Sequence, residues 1–336
     1  MNKIIECVPN FSEGRDAHKI VRITGEIKKV KGVTLLNVES DADYNRTVVT
    51  FAGKPEAVRD AAFYAIGMAA EIIDMSRHKG AHPRIGATDV CPFVPVSNAT
   101  MDECVLIART LGKEVGERLG IPVYLYGEAA IMTERHILPD IRKGEYEGLP
   151  EKLKNEKWRP DYGPVEFNEN VKRTGATVIG AREFLIAYNV NLDTQDIQIA
   201  NKISGIVRAS GVVLVNEKGE KVRVPGVLKF VQAMGVYLKE HNITQVSINL
   251  LNYKVTPPHV VFEEVKSRAG KFGVRVTGSE VVGLIPKEAL LAAGRFYTME
   301  LSEKQIIAAA VERLGLSQLN KFIPEKKVIE YMLGLD

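Results

Sequence analysis

The segment GVTLLNVESDADYNRTVVTFAG (residues 32–53) carries the strongest secondary-structure signal in the sequence. Residues 33–38 and 47–51 are rich in apolar and β-branched side chains, whereas the stretch between them is polar and charged. This pattern predicts two paired strands joined by a loop. Gly32 ends an amphipathic helix and Pro55 begins the next one, so a helix is predicted on either side of the strand pair.

The predicted elements extend outward from this segment in a regular order. Short strands are predicted over residues 3–8 and 90–96, which makes the order up to that point βαββαβ, as in a ferredoxin-like unit. Residues 134–176 differ, because they contain four prolines, the only Trp and little periodicity. A stretch of this length and composition is typical of a linker or of a functional loop region.

The second half of the chain repeats the alternation of strands and helices. It includes a predicted hairpin around Lys218–Gly219 and a predicted helix over residues 227–239. We therefore predict an α+β protein of two ferredoxin-like subdomains, residues 1–180 and 181–336, each a sheet with helices packed on one face.

Composition excludes several classes of protein. The chain has 336 residues, 45% of them hydrophobic and 26% charged, which is typical of a soluble globular protein of two or three domains. A net charge of +3 is too small to indicate a nucleic-acid surface. The longest apolar helix candidate, residues 61–70, is too short to span a membrane. The N-terminus reaches Glu6 and Pro9 too soon for a signal peptide, and the three cysteines form no CxxC pair, so we predict a cytoplasmic protein.

The sequence RHKGAHPR (residues 77–84) contains two of the six histidines. Their spacing of four would suit a metal on a helix, but Gly80 and Pro83 disfavour a helix and no third ligand is close in sequence, so no metal is predicted. One histidine could instead act as a general acid and base, because imidazole titrates near neutrality. A loop whose histidines bond only to backbone groups fits the composition equally well.

Two further motifs resemble ligand-binding loops but lack residues that those loops require. Asp41-x-Asp43-x-Asn45 begins like a calcium loop, but Arg46 and Ala52 occupy the positions that require Gly and Glu, so an Asx-type turn is predicted. The glycine spacing of residues 175–182 is similar to a phosphate-binding loop, but that loop's Lys-Ser/Thr pair is missing.

Several ordered strings together resemble the glutamate formimidoyltransferase family over essentially the whole chain. These strings are ECVPNFSEG (6–14), NRT (45–47), DMSRHKG (74–80), HPR (82–84), DVCPF (89–93), VYLYGEAA (123–130), GEYEGLPEKL (144–153), GAT (175–177), GAR (180–182) and VSINLL (246–251).

The resemblance implies an activity and an architecture. The family transfers the formimino group of N-formimino-L-glutamate to tetrahydrofolate, giving 5-formiminotetrahydrofolate and glutamate. The resemblance implies that tetrahydrofolate is a co-substrate and that no metal takes part. It also implies a substrate cleft or tunnel between two subdomains and a homodimer, without a nucleic-acid or membrane partner. A cyclodeaminase domain follows in vertebrate members, and the resemblance is to the stand-alone form, in which we expect that domain to be absent.

The resemblance also implies site residues. The family's catalytic histidine matches His82, which we expect to move protons as general acid and base. Both substrates carry carboxylates, so Arg46 and Arg84 are predicted to bind them as bidentate partners, and Asn10, Glu39 and Asn45 to make polar contacts or to orient His82. The family's folate-contacting loop maps to Gly163, Pro164, Val165, Glu166, Phe167, Asn168, Glu169, Asn170, Val171 and Lys172, where the sequence from Glu166 departs from the family pattern.

Two alternative functions remain open at this point. One is another folate one-carbon enzyme that acts on 5-formyltetrahydrofolate. The other is a non-catalytic folate-binding or scaffold protein built on the same fold, against which the intact His82–Arg84 string counts.

Overall fold

The structure, a computed structural model, describes residues 3–216, 219–300 and 302–335. The chain divides into two compact units, residues 1–183 and 184–336. Each unit has its own sheet and its own helices.

Strands and helices alternate along the first unit, as predicted. Its strands are β1 (Ile4–Cys7), β2 (Asn10–Phe11), β3 (Val33–Asp41), β4 (Arg46–Gly53), β5 (Thr88–Ser97), β6 (Val123–Gly127) and β7 (Thr177–Ala181). Its α-helices are α1 (Ala17–Lys29), α2 (Pro55–Ile72), α3 (Met101–Glu114), α4 (Leu138–Arg142), α5 (Leu149–Lys154) and α6 (Glu169–Thr174).

The strand order of the first sheet confirms the ferredoxin-like prediction. β1 and β2 follow one another between β4 and β5 and are antiparallel to both. β3 pairs with the far side of β4, so the first part of the sheet has the order β3-β4-β1/β2-β5. β7 then extends the sheet parallel to β5, and β6 lies parallel to β7. This extension is additional to the βαββαβ unit.

Local capping signals set the starts of the first three helices. The Asp16 carboxylate accepts the backbone N–H groups of His18 and Lys19 at the start of α1. Pro55 occupies the first turn of α2, and Thr100 and Glu103 form a reciprocal capping box in α3. These arrangements satisfy or remove N–H groups that a first helical turn leaves unpaired.

Both faces of the sheet are buried at β5–β7. Ile179 and Leu125 belong to the core shared with α1–α3, whereas their neighbours Val178 and Tyr124 belong to a second core. Neighbouring residues of a strand point to opposite faces, so the second core lies on the other side of the sheet. The structure thus adds helices on a second face to the predicted arrangement, and residues 134–176 are part of a core rather than a linker. The residues that α4–α6 contribute are Ile141, Leu149, Leu153 and Val171.

The second unit has the same sheet topology. Its strands are β8 (Ile186–Leu192), β9 (Val212–Val215), β10 (Lys221–Val224), β11 (Val231–Leu238), β12 (Ile243–Leu250) and β13 (Val276–Val282). Its helices are α7 (Ile197–Val207), α8 (Pro258–Lys271), α9 (Lys287–Tyr297), α10 (Glu303–Arg313), α11 (Pro324–Lys327) and α12 (Ile329–Met332). The sheet order β11-β12-β8-β13 corresponds to β3-β4-β1-β5, which confirms the second ferredoxin-like subdomain.

The helix predicted over residues 227–239 is wrong, because residues 231–238 form β11 and pair with β12. Val231, Ala233 and Gly235 are buried and alternate with more exposed residues, which is the period of a strand. A Cβ at Gly235 would lie 2.6 Å from Asn201 Oδ1, so glycine lets α7 pack directly on this strand. The high apolar content of this segment made the alternation of buried and exposed positions difficult to recognise in the sequence.

The predicted hairpin is confirmed, since β9 and β10 form a separate antiparallel pair. The turn residue Lys218 lies outside the described residues. Among the described residues, no helix combines the length and the hydropathy that a membrane-spanning segment requires.

Candidate functional site

The candidate site lies at one edge of the first sheet. The C-terminal end of β2 pairs with the N-terminal ends of two strands, with Phe11 opposite Thr47 of β4 and Thr88 of β5. β7 is parallel to β5, so its N-terminal end lies at the same edge. The loops that enter these strands therefore meet there: residues 42–45, 73–87 and 175–176.

His82 lies in the 73–87 loop beside Arg46. The Arg46 Nη1 atom is 2.5 Å from His82 Nε2, and the ring of Tyr44 is 5.8 Å from the His82 ring, centroid to centroid. A guanidinium only donates hydrogen bonds, so the lone pair of Nε2 accepts. The proton of the neutral ring is then on Nδ1, which is buried.

Burial and two neighbouring cations lower the pKa of His82 to about 4. The largest cause is the removal of the imidazolium from water, followed by the charges of Arg46 and Arg142, while Asp89 acts in the opposite direction. His82 is therefore neutral at pH 7 and can accept a proton.

Arg142 is a cation of this site that sequence reasoning missed. It is the last residue of α4, with Nε 3.4 Å from Asp89 Oδ1 and Nη2 bonded to Oδ2. The Asp89 carboxylate is buried and also accepts the backbone N–H of Ile85 at 3.0 Å. No local pattern marks Arg142, because only the packing of α4 on the second sheet face brings it to this edge. Asp89 belongs to one of the strings that carried the resemblance, but its sequence position did not indicate this role.

Arg84 is bound by carboxylates of the protein itself. Its Nη1 and Nη2 atoms lie 2.7 and 2.6 Å from the two oxygens of Glu147, and Nη1 is 3.0 Å from Glu145. Its Nε donates to His78 Nδ1 at 3.3 Å, and only 8% of the side chain is exposed. The guanidinium predicted to bind a substrate carboxylate thus anchors the His82 loop to residues 145–147.

Asn45 joins three loops. Its Oδ1 accepts the backbone N–H of Gly14 at 2.9 Å, and its Nδ2 donates to the carbonyl of Lys79 at 3.0 Å. Its own carbonyl bonds to His78 Nε2 at 3.0 Å. The residue has a φ of 49°, a conformation that Asn tolerates better than most side chains. Asn45 therefore fixes the chain immediately before Arg46.

Asn10 and Glu39 lie on the sheet face to which Arg46 points. Both are directly opposite Val48, Asn10 on β2 and Glu39 on β3. Val48 and Arg46 are two residues apart in β4 and so share a face, opposite to the face of core residue Val49. The Asn10 side chain donates to the carbonyl of Val8 at 3.1 Å.

The predicted folate loop is divided between structural and exposed residues. Val171 is fully buried, Asn168 caps α6 by accepting the N–H of Val171, and Asn170 donates to the carbonyls of Leu119 and Gly120. Phe167 packs on the second core and lies 6.2 Å from the ring of Tyr146. Asn168 and Asn170 are exposed although they make these bonds, and the other exposed residues of the loop are Gly163, Val165, Glu166, Glu169 and Lys172.

The other motifs have structural roles. The Asp41 carboxylate accepts the backbone N–H of Tyr44 at 2.8 Å, which confirms the predicted Asx-type turn. In the described ranges, no three His, Cys, Asp or Glu side chains come together as a metal-binding group. The sulfurs of Cys7 and Cys91 are buried and 3.5 Å apart.

Comparison with known proteins identifies the family. Residues 4–182 match the formiminotransferase domain, N-terminal subdomain, and residues 187–334 match the formiminotransferase domain. A glutamate formimidoyltransferase of Thermoplasma acidophilum is 47% identical over 88% of this chain and 92% of its own length. One from Streptococcus pyogenes serotype M1 is 44% identical over 88% of this chain and 94% of its own.

A longer relative is similar over the whole of this chain. The formimidoyltransferase-cyclodeaminase of Gallus gallus is 50% identical over 99% of the chain, which spans 60% of that relative's length. The matches thus extend over both units, and the sheet topology of each is that of the subdomain predicted. The chain belongs to the formiminotransferase family.

Proposed function

We propose that this protein transfers the formimino group of N-formimino-L-glutamate to tetrahydrofolate, releasing L-glutamate and 5-formiminotetrahydrofolate. The observation that carries the proposal is the neutral His82 beside a cation at the sheet edge, in a chain whose relatives are named glutamate formimidoyltransferase. The relatives' names supply the reaction, and the site supplies an acid–base group suited to it.

In the proposed reaction, N5 of the folate must lose a proton and the glutamate nitrogen must gain one. N5 of the folate attacks the formimino carbon, and its proton passes to the Nε2 atom of His82. The imidazolium then donates that proton to the glutamate nitrogen as the bond between this nitrogen and the formimino carbon breaks. The proton count balances, and His82 returns to its neutral form. Holding the two substrates together lowers the activation free energy further, by on the order of 7–11 kcal/mol in well-oriented reactions.

The predicted substrate contacts separate into two groups. Arg46, Asn10 and Glu39 lie on one sheet face and are retained as proposed substrate contacts. Asn45 and Arg84 are engaged by backbone groups and glutamates, so we assign them to holding the His82 loop. In the folate loop, we propose contacts from the exposed side chains and from Phe167, whereas buried Val171 holds α6 on the sheet.

A transfer assay tests the function directly. Purified protein with tetrahydrofolate and formiminoglutamate is expected to form 5-formiminotetrahydrofolate, followed spectrophotometrically, and the same assay with 5-formyltetrahydrofolate as the one-carbon source is the comparison. Preference for 5-formyltetrahydrofolate would identify a different one-carbon enzyme. Folate binding by calorimetry without transfer from either source would identify a binding protein.

We also infer that the chain works as a homodimer in the cytoplasm, with its small-molecule substrates as its other partners. Two exposed strands of a lone hairpin are marginally stable in water without something to pack against. Leu214, Val222 and Val224 are 42–53% exposed and share one face of the β9–β10 hairpin, which suits contact with a second copy. The free cysteines fit a reducing compartment, and a net charge of +3 gives no support for a nucleic-acid partner.

Changing Leu214 and Val222 to Asp is expected to dissociate the dimer, because the charges would be buried against the second copy. Light scattering coupled to size exclusion would show the mass halved. Val213→Asp is the matched control, since Val213 is 52% exposed on the opposite face of the same hairpin. A wild-type protein that runs as a monomer would contradict this inference.

A further inference from the structure

Two guanidinium groups lie at the same edge of the first sheet. Arg46 begins β4 and Asp89 lies near the start of β5, and these strands flank β2 on either side. Their backbones are therefore about 10 Å apart, within reach of two long side chains. Arg142 is bonded to Asp89, so its guanidinium is held on the Asp89 side of this gap.

The two cations are incompletely neutralised by the protein. Among the described residues, Arg46 bonds to no carboxylate and uses its Nη1 atom only toward His82. Arg142 uses Nε and Nη2 toward Asp89, and in the same described ranges its Nη1 makes no hydrogen bond. Burial and the charge of Arg142 both lower the pKa of Arg46, which shows that the second cation acts on the first. A half-buried guanidinium with unused donors is suited to a carboxylate.

The contact between Arg46 and His82 also blocks the reactive atom. Nε2 accepts a hydrogen bond from Arg46, so its lone pair is not free to take a proton from a substrate. Nδ1 carries the ring proton and is buried, so it offers no alternative lone pair. Arg46 has to move away from His82 before the base can act.

We propose that a carboxylate of formiminoglutamate binds between Arg46 and Arg142 and draws Arg46 off His82, which frees Nε2 to take the folate proton. This inference rests on the proposed function and adds to it a binding residue, Arg142, and a positioning residue, Asp89. No proton moves in the exchange, because Arg46 donates first to Nε2 and then to a carboxylate oxygen. The bound carboxylate also offsets the two cations, so His82 takes up a proton more readily with substrate present.

The charged and titratable groups around His82 set the direction of the pH dependence. They are Arg46 of β4, Arg142 of α4, Asp89 of β5, and Tyr44 and Asp41 before β4. Burial, and after it the charges of Arg46 and Arg142, hold the pKa of His82 at about 4 in the free protein, so the base form is lost only as the pH falls through that value. Neutralising a cation raises the pKa, and the loss of activity on acidification then begins at higher pH.

An NMR titration of the wild-type protein tests the exchange without any variant. The ¹⁵N shifts of His82 report its protonation and which nitrogen carries the proton, and L-glutamate serves as the carboxylate probe. We expect saturating L-glutamate to raise the pKa of His82 and to change the Nε2 shift as Arg46 leaves. If the protein transfers the formimino group but L-glutamate leaves the His82 titration unchanged, this inference is wrong and the proposed function stands. If no transfer occurs at all, the proposed function itself fails.

Arg142→Gln gives a second, kinetic test. The KM for formiminoglutamate is expected to rise roughly ten- to a hundredfold, because a hydrogen bond to a charged group is lost. The KM for tetrahydrofolate should rise less. The acid limb of kcat/KM should also shift to higher pH, which a purely structural defect would not cause. Arg22→Gln, at an exposed surface pair with Glu71, is the matched control and should change neither. An Arg142→Gln enzyme with unchanged KM and an unmoved acid limb would overturn the assignment.

Discussion

The His82→Gln enzyme is expected to lose on the order of 10²–10⁴-fold in turnover, the usual contribution of a general acid–base group. Gln can place an amide oxygen near the position of Nε2 and so keep the hydrogen bond from Arg46, but it cannot carry a proton between the two substrates. The loss should appear in kcat with both substrates saturating, because the substituted group acts on the reacting atoms.

His18→Gln is the matched control for this prediction. His18 is exposed in the first turn of α1, and its backbone rather than its ring takes part in the helix cap. Circular dichroism and thermal unfolding of both variants would show whether the fold is intact. A folded His82→Gln enzyme that turns over within a few-fold of wild type would remove His82 from the mechanism.

Asp161→Asn is expected to lower the free energy of unfolding of the first unit by roughly 3–5 kcal/mol, as when one partner of a buried ion pair is removed. Asp161 Oδ1 is 2.8 Å from Arg135 Nη1, and the two side chains are only 6% and 2% exposed. Asp161 Oδ2 also accepts the backbone N–H of Leu125 at 2.7 Å, and Arg135 donates to the carbonyl of Arg159 at 2.5 Å. The substitution would leave the Arg135 charge buried without its partner.

Thermal or denaturant unfolding would measure this change. The control is Glu134→Gln, which breaks an exposed pair with Lys157 in the same segment and should change the free energy of unfolding little, because solvent screens such pairs. Combining Asp161→Asn with Arg135→Met should restore part of the loss, because the orphaned charge is removed as well. Equal effects of Asp161→Asn and Glu134→Gln would show that the buried pair does not stabilise this unit.

The ferredoxin-like topology could be predicted because it depends on local patterns. The paired strands around residues 39–46, the helix capped by Asp16 and the helix that begins at Pro55 are each specified by neighbours in sequence. The helix predicted over residues 227–239 failed for the opposite reason. Its strand conformation depends on pairing with β12 and on the close approach of α7 at Gly235, which are contacts between distant segments.

The candidate site also combines features that could be predicted from sequence with features that depend on contacts between distant segments. A family resemblance predicted His82 and Arg46 as site residues, and in the structure their side chains are hydrogen-bonded to each other. It also assigned Arg84 to a substrate carboxylate, although Glu145 and Glu147, more than 60 residues further along the chain, bind its guanidinium. Ion pairing of this kind depends on where loops return in space, and no spacing in sequence encodes it.

From the sequence we could predict the ferredoxin-like order of strands and helices in the first unit and its repeat in the second, because periodicity and helix caps are local. The assignment of His82 as the acid–base group came from ordered strings of residues and stays a prediction. The tertiary structure was needed to show that residues 134–176 contribute to a second core and that Arg142 reaches the site from α4. Tertiary contacts matter here because the pKa of His82 is lowered first by burial and then by the charges of Arg46 on β4 and Arg142 on α4, while Asp89 on β5 acts in the opposite direction. Packing of those elements, rather than any one segment, makes this imidazole neutral.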